Sequence, residues 1–327
     1  MALDPDHCML ECGDSLAVLK TIDPGVFRCC VTSPPYWGLR DYGCKGQLGI
    51  ELTPEAYVAK MVEVFREVRR VLTDDGSLWL NLGDCYCTVP HGPAGANSSD
   101  PKAPGARERH GSQASRLPQP NLKHKDLVGI PWMVAFALRT DGWYLRNDIV
   151  WEKPNAMPSS VTDRATRSHE YLFHFTKSDR YYYDYEASQE PAVGKNIHDL
   201  TGPGCSAPGQ TPQTGSRKGR KNEAAGRTVV EFQDRWDAGE HSPMRNRRSV
   251  WTICTEPYKG AHYAVMPTKL VEPCVLAGSA VGDIVLDPFY GTGTVGVVAL
   301  RHGRNFVGID LDPRNLKLAE ERIGGAT

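Results

Sequence analysis

The sequence predicts an α/β protein built on a mostly parallel, doubly wound sheet, with an antiparallel strand near the end of that sheet and irregular inserts. Three stretches carry this reading. Residues 26–82 run as a buried strand, an amphipathic helix and a second strand. Residues 284–310 repeat that order as one strand–helix–strand unit. Between them, apolar runs at 143–151 and 171–176 read as antiparallel neighbours late in the sheet.

Each element has a local reason. Residues 8–32 alternate short apolar runs and turns, with Gly13-Asp14-Ser15 ahead of an apolar segment at 16–19. The run 26–32 is continuous and apolar, as a strand buried on both faces should be. The helix expected over 54–72 places Met61, Val64, Phe65, Val68, Val71 and Leu72 on one face. Thr53 can cap it, and Pro54 suits its first turn. Asp75-Gly76 is expected to end the unit before a strand at 77–82. Residues 88–121 are rich in Pro, Gly, Ser and basic side chains, which predicts a long mobile loop. A helix is expected over 126–138. In the last unit a strand at 284–286 leads to a helix at 294–302, stopped by Gly303, and then to a strand at 305–309 ending on Asp310. The expected divisions are residues 1–185, an insert at 186–249, and residues 250–327.

With 40% hydrophobic and 24% charged residues, the chain fits an ordinary globular protein. Its net charge of −1 excludes a global polycationic field, so any nucleic-acid surface must be a local patch. One candidate lies within the insert, where residues 195–248 hold ten Lys/Arg against six Asp/Glu. That composition fits a disordered linker and equally a module that orders on nucleic acid. The ten cysteines include no Cys-x-x-Cys pair and no Cys/His spacing suited to zinc, so no metal is expected. Cys29, Cys30 and Cys254 lie in apolar runs and read as reduced core thiols, which predicts a cytoplasmic protein. The first residues lack the pattern of a signal peptide, and no apolar stretch is long enough to span a bilayer.

Two motifs carry the chemistry. Residues 33–37 read Ser-Pro-Pro-Tyr-Trp directly after the strand at 26–32. Pro34 and Pro35 have no N–H, so the loop offers carbonyl acceptors together with the Ser33 hydroxyl. Tyr36 and Trp37 add flat apolar faces, and the whole suits a planar amine. Residues 287–293 read Asp-Pro-Phe-Tyr-Gly-Thr-Gly after the strand at 284–286. Gly291 and Gly293 let backbone approach a ligand, the helix beginning near Thr294 offers free N–H groups, and Asp310 can accept ribose hydroxyls. Gly291, Gly293 and Gly296 also have the dinucleotide spacing, but the preceding Asp-Pro-Phe and the distant Ser-Pro-Pro-Tyr argue against a nicotinamide cofactor.

Taken together, these residues resemble the DNA amino-methyltransferases that use S-adenosylmethionine, over about residues 8–185 and 250–323. The motif order, with Ser-Pro-Pro-Tyr first and Asp-Pro-Phe-x-Gly-Thr-Gly last, is similar to the beta class. The resemblance implies a Rossmann-like methyltransferase sheet with target-recognition inserts. It also implies a double-stranded DNA partner and a catalytic loop of Ser33, Pro34, Pro35 and Tyr36. The cofactor set it implies is Asp14, Thr268, Lys269, Asp287, Pro288, Phe289, Gly291, Thr292, Gly293, Thr294 and Asp310. Asp14 would lie near the adenine, and Thr268-Lys269 would close over the methionine end. Tyr290 departs from the small residue usual in that loop. A Ser at the head of the catalytic loop is associated with cytosine N4, and adenine N6 is the rival target. In this mechanism Ser33 and the Pro34 carbonyl hold the amine hydrogens while a base stacks on Tyr36, worth about 1–3 kcal/mol. Transfer to cytosine C5 would need a thiolate, and Cys274 after Pro273 reads as packing.

Other side chains attract attention less strongly. Arg164, Arg167, His169 and Glu170 read as structural or DNA-facing, and Tyr181, Tyr182 and Tyr183 as aromatic packing. Arg245, Arg247 and Arg248 suit phosphate contacts and equally a solvated charge run. The sequence leaves monomer and homodimer open.

Overall fold

A computed structural model of the chain describes residues 8–87, 121–191, 244–256 and 265–325. All but the last residue of the expected loop at 88–121 and most of the expected insert at 186–249 lie outside the described residues. The chain separates into two compact units, Met1–Ala187 with Arg248–Thr327, and Ser188–Arg247. In the smaller unit, strands β6 (Glu190–Pro191) and β7 (Met244–Arg245) pair antiparallel. There Arg245 Nε donates to Glu190 Oε1 at 2.9 Å, and Arg247 Nε donates to the Ser188 carbonyl.

The larger unit carries one eight-stranded sheet among its described residues. Its strands are β1 (Cys8–Cys12), β2 (Phe27–Thr32), β3 (Leu72–Leu82), β4 (Tyr144–Glu152), β5 (His169–Thr176), β8 (Val250–Thr252), β9 (Ile284–Asp287) and β10 (Asn305–Asp310). They lie in the order β1-β10-β9-β2-β3-β5-β4-β8. Pairings are parallel except those of β5 with β3 and β4. The expected antiparallel neighbours are therefore β4 and β5, and β5 alone opposes the other strands.

Helices cover both faces. On β9 and β10, Leu286 and Val307 belong to one core cluster, while their neighbours Val285 and Phe306 belong to the other. That alternation is what two covered faces require. The first cluster contains the apolar stripes of α2 (Pro54–Val71) and α3 (Ile130–Thr140), with Leu19 of α1 (Ser15–Thr21). The second contains those of α4 (Thr268–Gly278), α5 (Thr294–Arg301) and α6 (Pro313–Gly324). The predicted stripe of α2 is buried at Met61, Val64, Phe65, Val68 and Val71, and Thr53 caps the helix by accepting from Ala56 N.

Several boundaries differ from the sequence reading. Leu72 already pairs with Phe27, and the register shift before the Cys29–Ser77 pair absorbs residues 73–76. Asp75-Gly76 is thus a bulge inside β3, with Asp75 ion-paired to Arg28, rather than a break before it. Helix α3 starts at Ile130, not near 126, because Leu127 is held in an antiparallel bridge to Tyr86 and Gly129 takes φ 85°. Asp84 supplies the missing cap, accepting from the N–H groups of Gly129 and Ile130. Cys29 and Cys30 are buried as expected, but Cys254 is exposed just past the short edge strand β8. No helix among the described residues is long and apolar enough to cross a membrane.

Candidate active site

The strand order brings the two motifs together. Cys29 pairs with Val285 and Cys30 with Leu286, so β2 and β9 are parallel neighbours. From β2 the chain continues to β3 on one side, and from β9 to β10 on the other. Ligands of open α/β sheets bind at such a switch point, beyond the carboxyl ends of the strands. Ser33 leaves β2 there and Pro288 leaves β9. Thr32 Oγ1 donates to Asp287 Oδ1 at 2.6 Å and locks the two ends together. The opening is a cavity of about 730 Å³, lined by Ser33, Pro34, Pro35 and Tyr36 together with Asp287, Phe289, Gly291, Thr292, Thr294 and Asp310. That volume suits a nucleoside-sized ligand with a second group beside it.

Burial pushes the Asp287 carboxyl up to about 7, against the hydrogen bonds from Thr32 and the Phe289 N–H, with the Asp310 charge adding to the rise. The folded chain therefore binds this proton more tightly than the unfolded chain, whose value is near 3.8. Stability from the protonated group is fully present at low pH and is lost as pH rises from about 4 to about 7. Asp287→Asn keeps an acceptor for Thr32 and cannot ionise. Its stability relative to the parent is expected to increase across that interval and level off above it. Denaturant midpoints that run parallel at every pH would contradict this.

Around the catalytic loop, backbone and side chains are heavily tied. The Pro35 carbonyl accepts from Tyr57 OH at 2.9 Å, whereas the Pro34 carbonyl accepts no hydrogen bond among the described residues. Ser33 Oγ lies 3.1 Å from the Tyr36 hydroxyl. That hydroxyl is 2.9 Å from both Asn81 Oδ1 and Glu170 Oε2, and Lys153 closes the group by pairing with Glu170. The Tyr36 ring lies against Gly83, where a Cβ would come within 2.5 Å of it. At Gly49, with φ 92°, an added Cβ would lie 2.8 Å from the Tyr36 carbonyl oxygen. Trp37 corrects an expectation. It is 1% exposed, with Nε1 donating to the Glu51 carbonyl, so it anchors the loop in the core instead of offering a face at the site.

The cofactor loop is organised by Asp310. Its Oδ2 accepts from Gly291 N at 2.9 Å, and its Oδ1 accepts from Asp312 N and Asn315 Nδ2. A carboxylate offers about four acceptor sites, so roughly one remains for a ligand where the sequence reading expected two. Gly293 takes φ 75° and abuts Ala319 and Ile323, while a Cβ at Gly296 would meet Phe306 at 2.6 Å. The third glycine therefore serves helix–sheet packing. Thr292 and Thr294 accept from Arg322, and the Pro288 carbonyl accepts from Ser15 Oγ. Asp14 lines the cavity and also caps α1 through Ala17 N. Tyr290 turns its ring onto Gly308. Thr268 and Lys269 are not brought to the cavity wall. Val265 and Met266 line it instead, and Thr268 bonds the Glu256 carboxylate.

Sequence reasoning missed Asn81 and Lys153, and gave Glu170 no part in this cavity, which all three line. Arg167 is ion-paired with Asp84, and Arg164 lies over the Tyr86 ring. Tyr181 and Tyr183 pack around buried His174. Cys274 is fully buried, its thiol turned to the Leu270 carbonyl. Among the described residues no cluster of His, Cys, Asp and Glu could hold a metal.

A doubly wound sheet with this crevice at its switch point defines an α/β enzyme that brings a nucleoside-bearing cofactor against a second substrate. The DNA methylase model for N6 and N4 amino-methyltransferases matches residues 27–321, and the chain belongs to this family of S-adenosylmethionine-dependent DNA amino-methyltransferases. It is 45% identical over 313 residues to the type II methyltransferase M.XycI of Xanthomonas campestris pv. cyanopsidis, covering 96% of this chain and 86% of that protein. Identity to M.Cfr9I of Citrobacter freundii is 46%, with the same coverage. M.SmaI of Serratia marcescens is 43% identical, with 97% and 90% covered. The fold matches the cytosine-N4-specific PvuII DNA methyltransferase with a TM-score of 0.60 at 16% identity, over 98% of this chain and 91% of that one. It also matches a putative DNA modification methylase of Thermus thermophilus, solved with S-adenosyl-L-methionine, with a TM-score of 0.56 at 23% identity, over 97% and 93%. The chain is accordingly a type II DNA methyltransferase of the N4/N6 family, a restriction–modification class of enzyme.

Proposed function

We propose that the chain methylates the exocyclic N4 amine of a cytosine turned out of double-stranded DNA, in the cytoplasm, with S-adenosylmethionine as donor. The observation that carries this reading is the shared cavity, which Ser33 and Pro34 line together with Gly291 and Asp310. The donor fits that wall, because the loop from Phe289 to Gly291 needs no side-chain room at its glycine and Asp310 keeps an acceptor for a ribose hydroxyl. When bound it supplies a methyl group on a sulfonium, open to attack by nitrogen.

The protein's own part is to prepare that nitrogen. An exocyclic amine is conjugated with its ring and holds its lone pair poorly available. Ser33 Oγ and the Pro34 carbonyl accept its two hydrogens, favour a pyramidal nitrogen, and stabilise the positive charge that grows there. The nitrogen would gain the methyl as the carbon–sulfur bond breaks to leave a neutral thioether, the cationic amine would then give its extra proton to solvent, and the Tyr36 face helps offset the few kcal/mol needed to unstack the base. Ser at position 33 supports cytosine over adenine. The proposed division assigns residues 1–185 to catalysis, 186–249 to target recognition and 250–327 to the cofactor, and the compact unit Ser188–Arg247 supports it. Thr268 and Lys269 stay outside the proposed site.

DNA from cells expressing the chain, digested to nucleosides and resolved by mass spectrometry, is expected to contain N4-methylcytosine. Methylation confined to adenine N6 would overturn the choice of base.

A further inference from the structure

Behind Ser33 the hydrogen bonds run in one direction. Asn81 commits its amide hydrogens to Glu170 Oε2 at 3.2 Å and to the Tyr171 carbonyl at 3.1 Å, so its Oδ1 faces Tyr36 as an acceptor. The Glu170 carboxylate is an acceptor too, and its second oxygen is ion-paired with Lys153, which sits over the Trp151 ring. Both inward neighbours of the Tyr36 hydroxyl therefore accept, and a phenol has one hydrogen to give. Burial, reinforced by the Glu170 charge, holds Tyr36 well above the ordinary phenol range, so that hydrogen stays in place. Toward Ser33, 3.1 Å away, the phenol oxygen can only accept. Ser33 must then donate its single hydrogen to Tyr36.

We infer that Glu170, held by Lys153, is a positioning residue that fixes Ser33 Oγ as a pure acceptor toward the target amine. This rests on the proposed transfer to an exocyclic amine. A serine free to rotate could donate to the amine nitrogen, tying up the lone pair that must attack. With its hydrogen held by Tyr36, Ser33 presents only lone pairs, and these suit the amine's hydrogens. The device spans three strands. Asn81 is on β3, Glu170 on β5 and Lys153 directly after β4, where Trp151 pairs with Glu170.

A double-mutant cycle on the full chain, with duplex DNA and labelled S-adenosylmethionine, tests it. Tyr36→Phe removes the acceptor, and Glu170→Gln puts an amide where the carboxylate was, which can donate to the phenol, compete with Ser33 for its oxygen and release Lys153 from its ion pair. Each is expected to lower kcat roughly tenfold, one hydrogen bond's worth of orientation, with KM for the cofactor unchanged. The double variant is expected to lose no more than the larger single loss, because Glu170 acts through Tyr36. If Glu170→Gln unfolds with Lys153 left unpaired, the charge-neutral pair Glu170→Gln/Lys153→Met replaces it in the cycle. Additive losses of roughly a hundredfold, an unchanged kcat, or a defect confined to KM would each overturn the inference. A parent enzyme that transfers no methyl group to DNA would overturn the proposed function itself. An active parent with an indifferent Glu170→Gln would remove only this role.

Discussion

Ser33→Ala is expected to reduce turnover by roughly 10²–10³-fold while leaving S-adenosylmethionine affinity unchanged. The size follows from what is removed. The substitution takes away the side-chain acceptor of the pair proposed to hold the amine hydrogens, in a cavity walled on its other side by the cofactor loop. That contact strengthens as the nitrogen pyramidalises and gains charge, so its loss falls on kcat more than on KM. The fold should not suffer. Among the described residues Ser33 makes one side-chain hydrogen bond, to Tyr36, and neither Thr32, which ties β2 to β9, nor Tyr57, which holds the Pro35 carbonyl, depends on it. Stability should therefore change by about 1 kcal/mol or less. Single-turnover transfer measured beside calorimetric cofactor titration separates the two quantities. Full activity in the variant would mean that the Pro34 carbonyl alone suffices and that the hydroxyl is a bystander.

Much of this site was legible because its two halves are local. Ser33 to Tyr36 and Asp287 to Gly293 are short runs whose composition states their backbone behaviour, and each follows a buried strand. What composition could not state was that β2 and β9 are adjacent, since that depends on α2, α3 and α4 packing on opposite faces. The Thr32–Asp287 bond confirms the adjacency in a single contact. The supporting residues were hidden for a related reason. Asn81, Lys153 and Glu170 are far apart in sequence, and only the pairing of β3 and β4 with β5 gathers them. One signal was present. Asn81 is a buried amide between the apolar run Leu78-Trp79-Leu80 and Leu82, and a buried polar side chain needs partners. Trp37 misled because an aromatic next to Tyr36 looks like a second stacking face, whereas tertiary packing around Glu51 drew it into the core. At the start of α4, Thr268 and Lys269 were expected from the family resemblance to close over the methionine end, yet the cavity wall is lined by Val265 and Met266 and the helix begins beyond it.

Asp310→Ala is expected to weaken S-adenosylmethionine binding by about a hundredfold, roughly 2.7 kcal/mol. Two effects combine. The carboxylate provides the remaining acceptor at the position suited to a ribose hydroxyl, and a hydrogen bond to a charged group contributes about 1.5–3 kcal/mol. The same carboxylate also holds the wall in shape, through Gly291 N on one oxygen and Asp312 N with Asn315 Nδ2 on the other. Without it the Gly291 N–H loses its partner and the loop between β9 and α5 loosens, so the free protein spends less time in the binding-competent form. Asp310→Asn separates the contributions only in part. An asparagine has one acceptor oxygen and can satisfy Gly291 or Asp312, but its amide would face the other N–H. It is therefore expected to bind weakly as well, and to lose thermal stability alongside. Cofactor titration by calorimetry with both variants, under conditions where the melting curves show them folded, decides the matter. An affinity equal to the parent's would take Asp310 out of the binding site and leave it as the staple of the glycine loop.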